Sequence, residues 1–160
     1  MLSKGKYIGF LDDDDYFLST KVEKQINAMK QYNCKMSCTE GYIGNGIYNP
    51  ENTYKVFHYK GYYWNGLLNH FKNKPELLKN MYKNEINIWD KEAIYTHNAT
   101  IGGSSIIINS DLISKVGYFP ISGYAEDWYY WKELIKHTNC VALRESLVYI
   151  DNNHGNGRCW

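Results

Sequence analysis

The chain has 160 residues, with 18 Lys+Arg against 17 Asp+Glu and a formal net charge of +1. That length is most simply one domain, able to bury roughly 70% of its unfolded surface. The balanced charge, with no basic tract interleaved with aromatics, excludes a nucleic-acid phosphate backbone as partner. No apolar run approaches membrane-spanning length, so no membrane span is expected. The run Tyr7–Leu11 is too short for the apolar segment of a secretory signal and ends in acid. Cys34, Cys38, Cys140 and Cys159 lack C-x-x-C pairing and read as reduced thiols, which places the chain in the cytoplasm. The 16 tyrosines fit either a coding bias or rings that contact carbohydrate.

The chain opens with a strand, Tyr7-Ile8-Gly9-Phe10-Leu11, that runs straight into Asp12-Asp13-Asp14-Asp15. An unbroken apolar run bounded by polar residues predicts a strand buried on both faces, as in a parallel sheet covered by helices. Ligands of open α/β sheets sit outside the carboxyl ends of the strands, which is where the four acids fall. Four like charges in a row need an offset: a divalent metal held by carboxylate oxygens, or simply solvent around an acidic turn.

After the acids, Thr20 and Glu23 have capping-box spacing, with Ser19 as a rival cap, and Val22, Ile26 and Met29 predict a helix over 21–32. Residues 35–43 read as a second strand, followed by the turn Gly44-Asn45-Gly46. Tyr54, Phe57, Tyr59, Tyr62, Tyr63 and Trp64 form an aromatic patch, read as a hairpin on the core or as a ligand platform. Pro75 opens a short helix carrying Leu77, Leu78 and Met81.

Gly102-Gly103-Ser104-Ser105 enters the buried strand Ile106-Ile107-Ile108. Asn109 or Ser110 then caps a brief helix with Leu112, Ile113 and Val116, closed by Gly117. Glu126-Asp127 starts another helix with an apolar stripe at Trp128, Trp131, Leu134 and Ile135, the acids suiting the positive end of its dipole. Residues 141–143 and 147–150 are further strands, and His154 lies in the polar tail. Alternating strands and helices predict an α/β domain with a largely parallel sheet.

Several motifs are absent. No dinucleotide fingerprint or Walker A loop occurs, the G-x-S-x-G elbow fails at Ile106, and an EF-hand fails at Tyr16 and Phe17. Taken singly, Glu126-Asp127 is equally a routine helix cap, and His154 a surface histidine.

Together three segments say more. Gly5 to Phe17 with Lys21-Val22-Glu23-Lys24-Gln25 resembles the metal-binding segment of family 2 glycosyltransferases of the GT-A fold. Gly103-Ser104-Ser105 through Val116-Gly117-Tyr118-Phe119-Pro120 is similar to their acceptor-side strand, helix and turn. Ala125-Glu126-Asp127-Trp128 is similar to their catalytic segment, in the same order and at about the same separation.

The resemblance implies a mixed, largely parallel GT-A-like sheet with flanking helices. It also implies inverting transfer of a sugar from a nucleotide-diphosphate donor to a hydroxyl of a glycan, protein or lipid, with Mn²⁺ or Mg²⁺. Matched residue by residue, Asp12 contacts the donor ribose, with Asp13 as a helper on the donor side. Asp14 ligates the metal, joined by His154, Asp127 is the general base, and Glu126 positions the acceptor. Asp15 is a helper or solvated. The family's domain ordinarily begins with further strand–helix units that grip the nucleobase. Residues 1–160 match about its last two-thirds, as a single, N-terminally truncated domain. A partner chain or a homo-oligomer is then expected at the uncovered sheet edge. Besides the enzyme, the readings are a non-catalytic remnant or carbohydrate-binding module of the same fold, or half of a two-chain transferase.

Overall fold

The computed structural model of the protein describes residues 3–56, 72–73, 86–91, 95, 102–119 and 126–153. Most of the aromatic patch (57–64), the helix after Pro75, Cys159 and His154 lie outside the described residues.

In chain order the elements are β1 (Tyr7–Gly9), β2 (Tyr16–Phe17), α1 (Lys21–Gln31), β3 (Met36–Gly44), β4 (Lys55–Val56) and β5 (Ile86–Trp89). A 3₁₀ turn at Gly103–Ser105 then leads into β6 (Ile107–Asn109). A second, Ser110–Leu112, runs into α2 (Ile113–Val116), and α3 (Glu126–Ile135) and β7 (Cys140–Asp151) follow.

The strands form one sheet in the order β1-β6-β3-β7-β2, with β4 on β3 and β5 on β7. The mixed sheet expected from the sequence is present, and its longest pairing, β3 with β7, is parallel. The shorter pairings around that pair are antiparallel. β1 is therefore not a centre strand buried on both faces: Tyr7 and Ile8 are half-buried and Gly9 is exposed. Among the described residues it stands at one end of the strand order, pairing with β6 alone.

Alternation along the strands sorts side chains to two helices. Met36, Cys38, Ile106, Ile108, Cys140 and Ala142 meet Tyr130, Trp131, Leu134 and Ile135 of α3. Ile107, Val141, Leu143 and Leu147 meet Ala28 and Met29 of α1 on the other face. Burial of a core strand on both faces explains why 106–108 reads as a continuous apolar run. Cys34, Cys38 and Cys140 are buried free thiols, and no helix among the described residues is long and apolar enough to cross a membrane.

Two helix expectations are corrected. Thr20 stands at the N-cap with helical backbone angles and makes no side-chain cap bond, so the capping box does not form. The inward stripe of α1 is Lys21, Gln25, Ala28 and Met29, whereas Val22 is 47% exposed. Of the polar residues on the inner face, Gln25 has hydrogen-bond partners there, while Lys21 Nζ is buried without one among the described residues. Gln25 Nε2 donates to Ser37 Oγ (3.1 Å) and to the Ser105 carbonyl (2.9 Å), tying α1 to β3 and to the turn before β6. The second helix behaves as expected: Asn109 Oδ1 accepts from the Asp111 N–H, and Gly117, at φ 84°, ends α2 in a backbone conformation that glycine adopts without strain.

Lys21 is buried to 0% exposure and lies with Nζ 4.0 Å from the centre of the Phe17 ring. Burial lowers its pKa to about 7, with Cys38 acting weakly the other way. Between pH 7 and about 10 the unfolded chain therefore binds the proton that the folded chain has released. Stability from this group rises with pH across that window, by up to about 1.4 kcal/mol per unit. Lys21→Met should remove the slope: urea midpoints of variant and wild type should converge from pH 7 to 9.5. Parallel pH profiles would contradict the assignment.

The sheet's two predicted late strands are one strand, β7, with irregular pairing. The register with β3 jumps from Thr39↔Leu143 to Glu40↔Ser146 and then to Gly41↔Val148. Extra residues in β7 thus bulge out around Arg144 and Glu145, a device that bends a strand and redirects its side chains. Beyond the bulge, Gly44 lets two rings cross: a Cβ there would lie 2.5 Å from Tyr149 Oη and 2.8 Å from Tyr54 Cε1. Gly44→Ala should cost about 1–3 kcal/mol in urea unfolding, the range for overpacking. A neutral result would mean that the two rings move apart freely.

Candidate functional site

β1 delivers the four aspartates to a turn fixed by backbone bonds. The Phe10 N–H donates to the Ile106 carbonyl, and the Asp15 N–H donates to the Asp12 carbonyl, closing the turn at 3.2 Å. The Asp12 N–H donates to Ser104 Oγ at 3.0 Å, so the Gly-Ser-Ser turn before β6 props the start of the acidic turn. A Cβ on Gly103 would sit 3.9 Å from Asp12 Oδ1, which shows how closely that turn borders the Asp12 carboxylate.

The four acids are not equivalent. Asp12 and Asp13 are exposed, Asp14 is half-buried and Asp15 is buried. Asp15 Oδ1 accepts from the Asp151 N–H at the end of β7 (3.2 Å). Asp151 Oδ1 in turn accepts from the Gly46 and Asn153 N–H groups, both at 2.8 Å. The Asn152 N–H donates to the Gly44 carbonyl. The acidic turn, the 44–46 turn and the chain leaving β7 are therefore held together through Asp15 and Asp151.

The Glu126-Asp127 segment opens α3. Glu126 is exposed and Asp127 half-buried, and Asp127 Oδ1 accepts from the Trp128 N–H at 2.6 Å, in keeping with acids at a helix start. Its link to the acidic turn runs through aromatic packing. Phe10, just before the acids, meets Trp131 edge-on at 4.9 Å and Phe119 at 5.5 Å. Phe119 stacks on Tyr130 at 4.3 Å, and Tyr130 Oη donates to the Gly117 carbonyl at 2.9 Å. The structure thus joins the acidic turn, the Gly-Ser-Ser turn, the Gly117–Phe119 turn and α3. His154 lies outside the described residues. Trp128, beside the Glu126-Asp127 pair, has Lys132 Nζ over it at 3.4 Å, which covers one face of the indole.

The comparisons decide the family. The model of glycosyl transferase family 2 matches residues 1–100. The chain belongs to that family. No curated protein matches it. Among solved structures, this family 2 chain is similar to S. aureus TarS 1-349 in complex with UDP-GlcNAc, with a TM-score of 0.60 and 15% identity over 96% of this chain and 37% of that one. S. aureus TarS 1-349 in complex with UDP gives a TM-score of 0.59 and 15% identity, covering 93% of this chain and 36% of that one. The family 2 chain therefore spans a little over a third of the length of these neighbours, and its fold is GT-A.

Sequence reasoning missed Ser104 as the prop of Asp12, the bond from Asp15 to Asp151, and the inward Lys21 and Gln25. The signal for the last two was present: positions 21, 25, 28 and 29 recur at helical spacing, but two of them are polar and were not counted.

Proposed function

We propose that this chain carries out, in the cytoplasm, the inverting, metal-dependent transfer of a sugar from a nucleotide-diphosphate donor to an acceptor hydroxyl. The observation that carries the reading is the acidic turn: carboxylates held at the end of β1, propped by Ser104 and packed through Phe10 onto the helix that begins with Glu126-Asp127. Family membership and the GT-A fold support it, and the buried free thiols suit a reducing compartment.

Carboxylate oxygens are the preferred ligands of a hard divalent cation, which supports the metal reading of the acidic turn, although the described residues bring together no group of three or more His, Cys, Asp or Glu. Asp14, with His154, would hold Mn²⁺ or Mg²⁺. When bound, such an ion supplies Lewis-acid neutralisation of the diphosphate leaving group. Asp12 contacts the donor ribose and Asp13 assists on the donor side, both being exposed at the turn. Asp15 is already engaged with Asp151 and keeps the turn in place. Asp127 takes the proton from the acceptor hydroxyl as it attacks from the face opposite the leaving group, and Glu126 positions that acceptor. A centre with oxocarbenium character, as in glycoside hydrolysis, tolerates this arrangement because the nucleophile need only be weakly activated.

Calorimetric titration with UDP-GlcNAc and with GDP-mannose, in Mn²⁺ and then in EDTA, tests the donor site. Binding should require the metal and weaken at least about tenfold in Asp14→Ala. Folded protein that binds neither donor, or binds equally well in EDTA, would remove the catalytic reading for this chain.

A further inference from the structure

A cleft of about 600 Å³ opens beside the acidic turn, between the start of α1, the segment after β3 and the bulge in β7. We propose that it is a subsite for a neutral sugar ring of the acceptor, with the stacked Tyr16 and Tyr48 rings as its aromatic side. This rests on the transfer reading above and specifies the acceptor as a glycan.

Four observations carry the assignment. Tyr16 directly follows Asp15 and is 54% exposed, so its ring is offered to solvent next to the acids. Because consecutive Cα atoms lie about 3.8 Å apart, the Tyr16 Cα is within roughly 8 Å of that of Asp14. Tyr48 lies near-parallel to Tyr16, with centroids 6.3 Å apart and planes at 30°. Tyr48 is in turn braced by Tyr54 at 5.6 Å and Tyr149 at 5.3 Å, and Tyr149 Oη donates to the Gly46 carbonyl at 2.8 Å. The stacked rings are thus held before any ligand arrives, which lowers the ordering cost of binding.

The lining sets the ligand class. Ser19, Thr20 and Ser146 supply hydroxyls and the β7 bulge supplies Glu145, the one charged residue among the described residues that line the cleft. Lys24 Nζ bridges both carboxylate oxygens of Glu145, at 2.5 and 2.7 Å, so the acid is already compensated and the described lining offers no free cation to hold a diphosphate or other anion. Rings flanked by hydroxyls and a carboxylate suit a sugar, whose C–H face packs on an aromatic ring while its hydroxyls find polar partners at the edge.

Saturation-transfer NMR with the methyl glycosides of glucose, galactose, mannose and N-acetylglucosamine, without nucleotide or metal, tests the subsite. At least one should bind the wild type, with affinity reduced tenfold or more in Tyr16→Ala and within about threefold of wild type in Tyr16→Phe. Circular dichroism would check that each variant is folded. Donor titration in Mn²⁺ should be the same in Tyr16→Ala as in wild type, so the cleft and the donor site are read separately. Absence of glycoside binding by the wild type, or undiminished binding by Tyr16→Ala, would overturn the proposal whatever the donor experiment shows.

Discussion

Trp131→Ala is expected to lower the free energy of unfolding by about 3–5 kcal/mol, the range for removing a buried Trp or Phe side chain. Trp131 is 1% exposed and touches Phe10 at 4.9 Å, Phe119 at 5.5 Å and Tyr130 at 5.6 Å. Those rings belong to the end of β1, the turn after α2, and α3. The variant therefore leaves a cavity where the three elements meet, which neighbouring rings cannot fill without leaving their own contacts. Against a typical total of 5–15 kcal/mol this is a large share. Urea unfolding of wild type, Trp131→Ala and Tyr129→Ala gives the comparison. Tyr129 lies on the outer side of the same helix at 58% exposure and should change stability by less than about 0.5 kcal/mol. A Trp131 loss no larger than the Tyr129 loss would mean that α3 does not anchor the acidic turn.

Asp127→Asn is expected to reduce the transfer rate by about 10²–10⁴-fold, the usual contribution of a positioned general base. The substitution is selective. Asn keeps the oxygen that accepts the Trp128 N–H, so the start of α3 stays capped and the fold survives. It removes only the carboxylate that the proposed function uses as proton acceptor. Single-turnover transfer from the donor that binds best would show the loss, with donor affinity unchanged. An Asn variant that turns over at the wild-type rate would assign the proton to another group. Glu126→Gln should instead raise the KM for acceptor, with a smaller effect on the rate.

Much of this architecture was legible in the residues. Ile106–Ile108 could be recognised as a buried strand because both its neighbours are apolar layers, and Asn109 and Gly117 bracket α2 by cap chemistry alone. The acidic run at a strand end and Glu126-Asp127 at a helix start were visible as charge patterns. Less legible was whatever depends on partners distant in sequence. The inward face of α1 was hidden because Lys21 and Gln25 look like surface residues until Phe17, Ser37 and Ser105 surround them. The antiparallel pairings of β1 and β2 followed from no local pattern, since an apolar strand reads alike in either direction. The bulge in β7, which made one strand look like two, shows only when β3 is laid beside it.

Asp15 gives the repeated letter in Asp12-Asp13-Asp14-Asp15 an unequal history. Its carboxylate belongs to the scaffold through Asp151, Asp13 stands in solvent, and Asp14 lies half-covered between them. Under the proposed function, selection then acts on the four positions through different losses: ligand contact at 12, 13 and 14, and folding at 15. Because Asp15 accepts from the backbone N–H of residue 151, position 15 should keep an acceptor side chain among relatives whatever residue stands at 151. A four-letter acidic run here is two short constraints set side by side, one answering to chemistry and one to the persistence of the fold.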